Sequence, residues 1–132
     1  MKGGDILQRN IKVLVVEPYS EPRVEIIHNR LSDKQHLVGG LIEYTYMEDD
    51  ENVAILCNEE GKYLGLPLNR DIGHDIIAGT FVIVGDNDTG EDRSLTDEQI
   101  DKYTKKFGKE SIIETQLKVN NILNNIKDDY EL

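Results

Sequence analysis

Asn69 and Arg70, at the end of GLPLNR (65–70), are the first residues that could do chemistry. A guanidinium presents a planar fork of donors that grips phosphate bidentately, and an asparagine beside it can read a base edge or cap a turn. The same pair also reads as a surface ion pair of Arg70 with Asp71 or a glutamate, with Asn69 as a turn residue. Gly79 and Thr80 form a second candidate. The glycine would let backbone N–H groups approach a ligand and the threonine would add a hydroxyl, although a β-bulge accounts for the glycine as well. Tyr44 and Tyr46 stand two apart and could stack a base at about 1–3 kcal/mol, or simply pack on a half-buried sheet. In EPYS (17–20), Tyr19 joins an acid and a hydroxyl in a turn, which turn geometry alone also explains.

The residues give catalysis little footing. His28, His36 and His74 are not at metal-ligand spacing, and Cys57 ends an apolar run where a small buried side chain is expected. There is no Walker loop, no GxSxG and no HExxH. Acid pairs such as Asp49-Asp50 and Asp128-Asp129 lie in charged runs that read as solvated faces. The expectation is a binding protein rather than an enzyme, with neither cofactor nor metal.

A net charge of −11 over 132 residues sets the class of ligand. Extended polyanions are repelled, so direct binding to DNA, RNA or anionic membranes is not expected. Screening acts over about 8 Å at physiological salt, which leaves room for one cationic fork to hold a compact phosphate. One cysteine allows no internal disulfide and fits a reducing cytoplasm. MKGGDILQRN lacks the apolar stretch of a signal peptide, and no run has the length of a membrane span.

The elements that must position these residues follow from apolar periodicity. Residues 1–10 read as a flexible arm. IKVLVVE (11–17) is a near-continuous β-branched run, the pattern of a strand buried on both faces. PYSEP turns the chain into RVEIIH (23–28), a hairpin partner. NRLSDKQHLVGG (29–40) predicts a short helix with Leu31, Leu37 and Val38 on one face and a glycine stop. LIEYTYM (41–47), VAILCN (53–58), YLGL (63–66) and HDIIAGTFVIVG (74–85) read as strands, the last with a bulge or close backbone approach at Gly79. GLPLNR then serves as a connector. After the polar loop GDNDTGEDRS (85–94), Thr96 and Gln99 spell a capping box for a helix burying Ile100, Tyr103 and Phe107. In the tail, Ile112, Gln116, Val119, Leu123, Ile126 and Tyr130 form a heptad-like seam suited to docking or self-association. The sum is an α+β protein, mainly an antiparallel sheet of about six strands with one short helix and a helical C-terminal end. It divides as arm 1–10, core 11–92 and C-terminal helices 93–132.

Six ordered motifs, among them IKVLVVEP, ILCNEEGKYLGLPLNR, DIIAGTFVIVG and SLTDEQI, resemble a domain-of-unknown-function family of bacteriophages, plasmids and conjugative elements. The likeness spans roughly residues 11 to 107. Relatives in that family often carry a longer insert between the Asn-Arg pair and DIIAGTF, where this chain has only DIGH. The resemblance implies a mobile-element origin and no particular chemistry. By analogy with phage sponges of the anti-CBASS type, the expected function is sequestration of a nucleotide immune signal such as a cyclic dinucleotide. The protein would be a cytoplasmic homo-oligomer, dimer or tetramer, with the ligand held by Asn69, Arg70, Gly79, Thr80, Tyr44, Tyr46 and Tyr19. The alternative is an acidic interaction protein, a DNA mimic or direct inhibitor of a host defence protein, working through the acids of 48–51 and 86–92.

Overall fold

The computed structural model describes residues 9–87 and 90–130, with side chains through Lys127. The predicted arm therefore lies almost wholly outside the described residues, as do two positions of the polar loop. The chain runs β1 (Asn10–Val16), β2 (Arg23–His28), α1 (Leu31–Val38), β3 (Ile42–Met47), β4 (Asp50–Asn58), β5 (Leu68–Asp71), β6 (Ile76–Ala78), β7 (Phe81–Gly85), α2 (Asp97–Lys106) and α3 (Lys109–Tyr130). Five strands form an antiparallel sheet in the order β2-β1-β7-β4-β3, and β5 pairs with β6 in a small second sheet. The α+β architecture expected from the sequence is the one observed.

Alternation explains why the central strands read as unbroken apolar runs. Leu14 and Val16 of β1, Val53, Ile55 and Cys57 of β4, and Phe81 and Ile83 of β7 share one face. There they pack with Ile72, Ile77 and the Tyr103 and Phe107 side chains of the α2 region. Ile11, Val13, Val15, Ala54, Leu56, Val82 and Val84 point the other way, where Val38 of α1 covers them. Each Val, Leu or Ile side chain so buried contributes about 1.5–3 kcal/mol. The core crosses the 92/93 division, since Leu95 and Tyr103 belong to it.

Local signals placed several boundaries correctly. Thr96 Oγ1 accepts from the Gln99 N–H at 3.1 Å while Gln99 Oε1 accepts from the Thr96 N–H at 2.9 Å, completing the capping box. Gly39, with φ 79°, ends α1 and donates to Gln35 O. Leu31, however, stands exposed, and Lys34 shares the buried side of α1 with Val38.

Three expectations fail in the same region. YLGL is no strand: Leu64 N donates to Glu60 O and Leu66 N to Gly61 O, closing a run of turns that leaves Tyr63 and Leu64 exposed. GLPLNR is not merely a connector, because Leu68–Asp71 is a strand. HDIIAGTFVIVG is two strands in two sheets, separated at Gly79 with φ 84°. A Cβ on Gly79 would meet Leu66 Cδ1 at 2.7 Å, so the close approach read from the sequence is real.

Candidate functional site

β5 carries its burial in an unusual place, on the adjacent residues Asn69 and Arg70. A register shift between Leu68 and Arg70 breaks the normal alternation and turns both inward. Arg70 is fully buried. Its Nε and Nη2 donate to Phe107 O at 3.2 and 2.9 Å, Nη2 also to Ser20 O at 2.6 Å, and Nη1 to Asn69 Oδ1 at 2.7 Å. Longer contacts of Nη1 reach Glu17 O and Asn69 O. Burial holds its pKa below the usual arginine value, yet the acceptors are carbonyl oxygens, which favour the charged form.

The guanidinium therefore sits at the C-terminal end of α2, where the helix leaves carbonyls without intrahelical partners. It ties that end to the turn between β1 and β2. Asn69 completes the node by donating from Nδ2 to Val16 O at 2.8 Å and Gly79 O at 2.9 Å. The polar atoms of Arg70 and Asn69 that were expected to grip a ligand are engaged inside the protein. The expected Arg70–Asp71 surface pair is absent as well, since Asp71 pairs with Lys118 of α3.

The structure brings Tyr19 and Gly79 to this node and keeps Tyr44 and Tyr46 away from it. Tyr19 has φ 67°, a left-handed conformation rare outside glycine. The carbonyls of Glu17 and Ser20 on either side accept from Arg70, which fixes the turn. Thr80, half-buried, follows Gly79 at the passage between the sheets. Tyr44 pairs in register with Leu56, so it lies on the α1 side of the large sheet, opposite the Arg70 side. Its hydroxyl donates to Asp92 Oδ2 at 2.9 Å, and Asp92 is a buried ion-pair partner of Lys34. Burial and Asp92 both push the Tyr44 phenol well above its usual range. Tyr46 is half-exposed beside it.

The remaining titratable candidates hold structural contacts. Burial pushes the Cys57 thiol up to about 11, so it is protonated at neutral pH, and its Sγ lies 3.7 Å from Glu43 O. His74 contacts Thr45 and Glu48. Among the described residues, no group of three or more His, Cys, Asp or Glu is placed to hold a metal ion. The acidic clusters are partly consumed internally: Asp50 accepts from Tyr103 and Lys102, and Asp92 from Tyr44.

Among the described residues, three clefts open at the surface. One of about 180 Å³ lies between Tyr19, Leu68, Asn69 and the first half of α3. A second, of about 330 Å³, is lined by Cys57, Lys62 and Asp75, the last two paired with each other. The third, of about 380 Å³, is lined by Asn52, Gly85, Asp86, Arg93, Ser94, Thr96 and Gln99.

Arg93 is the residue that sequence reasoning missed. Its N–H and C=O exchange 2.8 Å bonds with Gly85, which fixes the backbone at the end of β7. Its side chain is exposed and makes no hydrogen bond or ion pair among the described residues. In the sequence it follows Glu91 and Asp92 and reads as locally neutralised. The fold takes Asp92 out of that neutralisation by turning it inward to Lys34, while Glu91 stays exposed.

No helix among the described residues is long and apolar enough to cross a membrane. Comparison with curated proteins and with solved structures finds no significant match. The profile of one family, the domain of unknown function DUF3846, matches residues 11–108 and so takes in both sheets, α1, α2 and the whole Arg70 node. On that match the chain belongs to the DUF3846 family.

Proposed function

We propose that this protein binds a nucleotide-class anion in the Arg93 cleft and holds it unreacted. That behaviour suits sequestration of a cyclic-dinucleotide immune signal on behalf of a phage or other mobile element. The carrying observation is a guanidinium unpaired among the described residues, held by a fixed backbone, on the rim of a cleft of about 380 Å³. Small-molecule sites start near 300 Å³, so a nucleotide moiety is of the right size. Arg93 supplies the bidentate fork for a phosphate and the Asn52 side chain an amide suited to a base or sugar edge, while the Gln99 amide is held by Thr96 N–H and Asn52 O and only walls the cleft. Asp86 lines the same cleft and opposes an anion, which tunes the site toward modest affinity.

Titration calorimetry with cyclic di- and trinucleotides tests the reading, using wild type, Arg93→Ala and Asp86→Asn. Binding should be lost in Arg93→Ala and tightened several-fold in Asp86→Asn. Denaturing the loaded protein should return the ligand intact. Absence of binding by every nucleotide tried, or full affinity in Arg93→Ala, overturns the proposal. Recovery of a cleaved product would replace sequestration with turnover.

A further inference from the structure

α3 is only half seated. Thr115 is buried, Ile112 and Val119 are half-buried, and Lys118 pairs with Asp71 of β5. From Asn120 to Lys127 every residue is exposed, with Ile122, Leu123 and Ile126 at 45, 57 and 48%. At about 100° per residue, Val119, Ile122, Leu123 and Ile126 share one face. Their i, i+3, i+4, i+7 spacing is that of a helix that buries a stripe. Ile112 and Thr115 lie on the same side, so the seated face continues past the body of the protein.

We propose that this continuation is the interface of an antiparallel homodimer. The segment VNNILNNI (119–126) has the same pattern in both directions: apolar, two asparagines, two apolar, two asparagines, apolar. An isologous contact requires a surface complementary to itself under a two-fold rotation, and this pattern provides it. With the axis between Ile122 and Leu123, antiparallel helices set Val119 against Ile126, Asn120 against Asn125 and Ile122 against Leu123 of the second copy. Asparagine amides both donate and accept, so the flanks match themselves as well.

Charge selects the same partner. A second copy of a chain with net charge −11 is repelled by acidic faces, whereas these eight residues carry no charge at all. The nearest cation toward the body, Lys118, is already paired with Asp71. A basic partner would gain more on the acidic surface than on this stripe. The register also delivers Ile126 of one copy to Val119 and Asn120 of the other, which line the 180 Å³ groove beside Tyr19. That groove is below the size of small-molecule sites and suits one aliphatic knob. None of its residues belongs to the Arg93 cleft.

Sedimentation velocity on the full chain, from low to high micromolar concentration, should show a monomer–dimer equilibrium. Leu123→Glu should weaken it at least about tenfold while circular dichroism shows an unchanged fold, the position being exposed. Val119→Cys mixed with Ile126→Cys should cross-link under mild oxidation. Each variant alone should not, because like positions then stand roughly 10 Å apart along the helices. A wild-type monomer throughout, an undiminished dimer in Leu123→Glu, or cross-linking of Ile126→Cys alone overturns the proposal.

Discussion

Arg70 and Arg93 carry the same guanidinium and do opposite work. Arg70 is fully buried and spends its donors on carbonyls of Phe107, Ser20 and Asn69. Arg93 has its backbone clamped to Gly85 and its head in solvent. The first holds the turn, β5 and the end of α2 together; the second has no side-chain partner among the described residues. The difference teaches that a cationic fork is available to a ligand only when the fold leaves its donors unspent. An acidic sequence context is a poor guide to that, since Asp71 and Asp92 both turn to lysines elsewhere.

The contrast is open to test by substitution. Arg70→Ala strips the charge from several buried carbonyls and should cost about 3–5 kcal/mol, read as a lowered urea midpoint. Arg70→Lys should recover only part of this, because an ammonium cannot reproduce the planar fork. An unchanged midpoint in Arg70→Ala would erase the distinction between the two arginines. On the α1 side, Asp92→Ala leaves the Lys34 ammonium buried without its carboxylate and should cost about 2–3 kcal/mol. Adding Lys34→Met should return most of that loss, a coupling that a double-mutant cycle measures.

Acid should expose a smaller set of contacts. Burial raises Asp50, but bonds from Tyr103, the Asn52 N–H and Lys102 outweigh it and hold the carboxyl below its usual range. Lys118 and the Gly73 N–H hold Asp71 low against burial. With folded pKa values below the unfolded ones, the unfolded chain takes up protons first. This stability is in place above about pH 4 and is lost as pH falls through the depressed values. Urea midpoints should drop across that window, less steeply in Asp50→Asn. The smallest expected effect on stability is Arg93→Ala, within about 0.5 kcal/mol. If that substitution destabilised the fold as Arg70→Ala does, Arg93 would be a second structural node and the cleft would lose its ligand fork.

Much of the scaffold was legible because its signals are local. The Thr96-Gln99 capping box, the Gly39 stop and the doubly buried run of β1 each depend on residues a few positions apart. The site was less legible for a physical reason. Arg70 is interior because of acceptors at Phe107, 37 residues later, and at Ser20, 50 residues earlier. No window around LNRD contains them. The bulge that turns both Asn69 and Arg70 inward also removes the alternation by which a strand betrays its buried face. The passage of 74–85 between two sheets was hidden similarly, because Gly79 marks a close approach without saying to what. Arg93 was overlooked because its acidic neighbour faces the other way in space.

The node at Arg70 also sets an order of events for the growing polypeptide. The turn at Glu17–Ser20 and the β5 arginine are synthesised long before the carbonyl of Phe107 exists. Until that residue is in place, the cation lacks the acceptor for its Nε and one Nη2 donor, so the node can close only when the end of α2 arrives. The DUF3846 match stops at residue 108, one position beyond the last acceptor the cation needs. A chain cut ahead of α2 would lack the keystone of its own interior, however complete its strands.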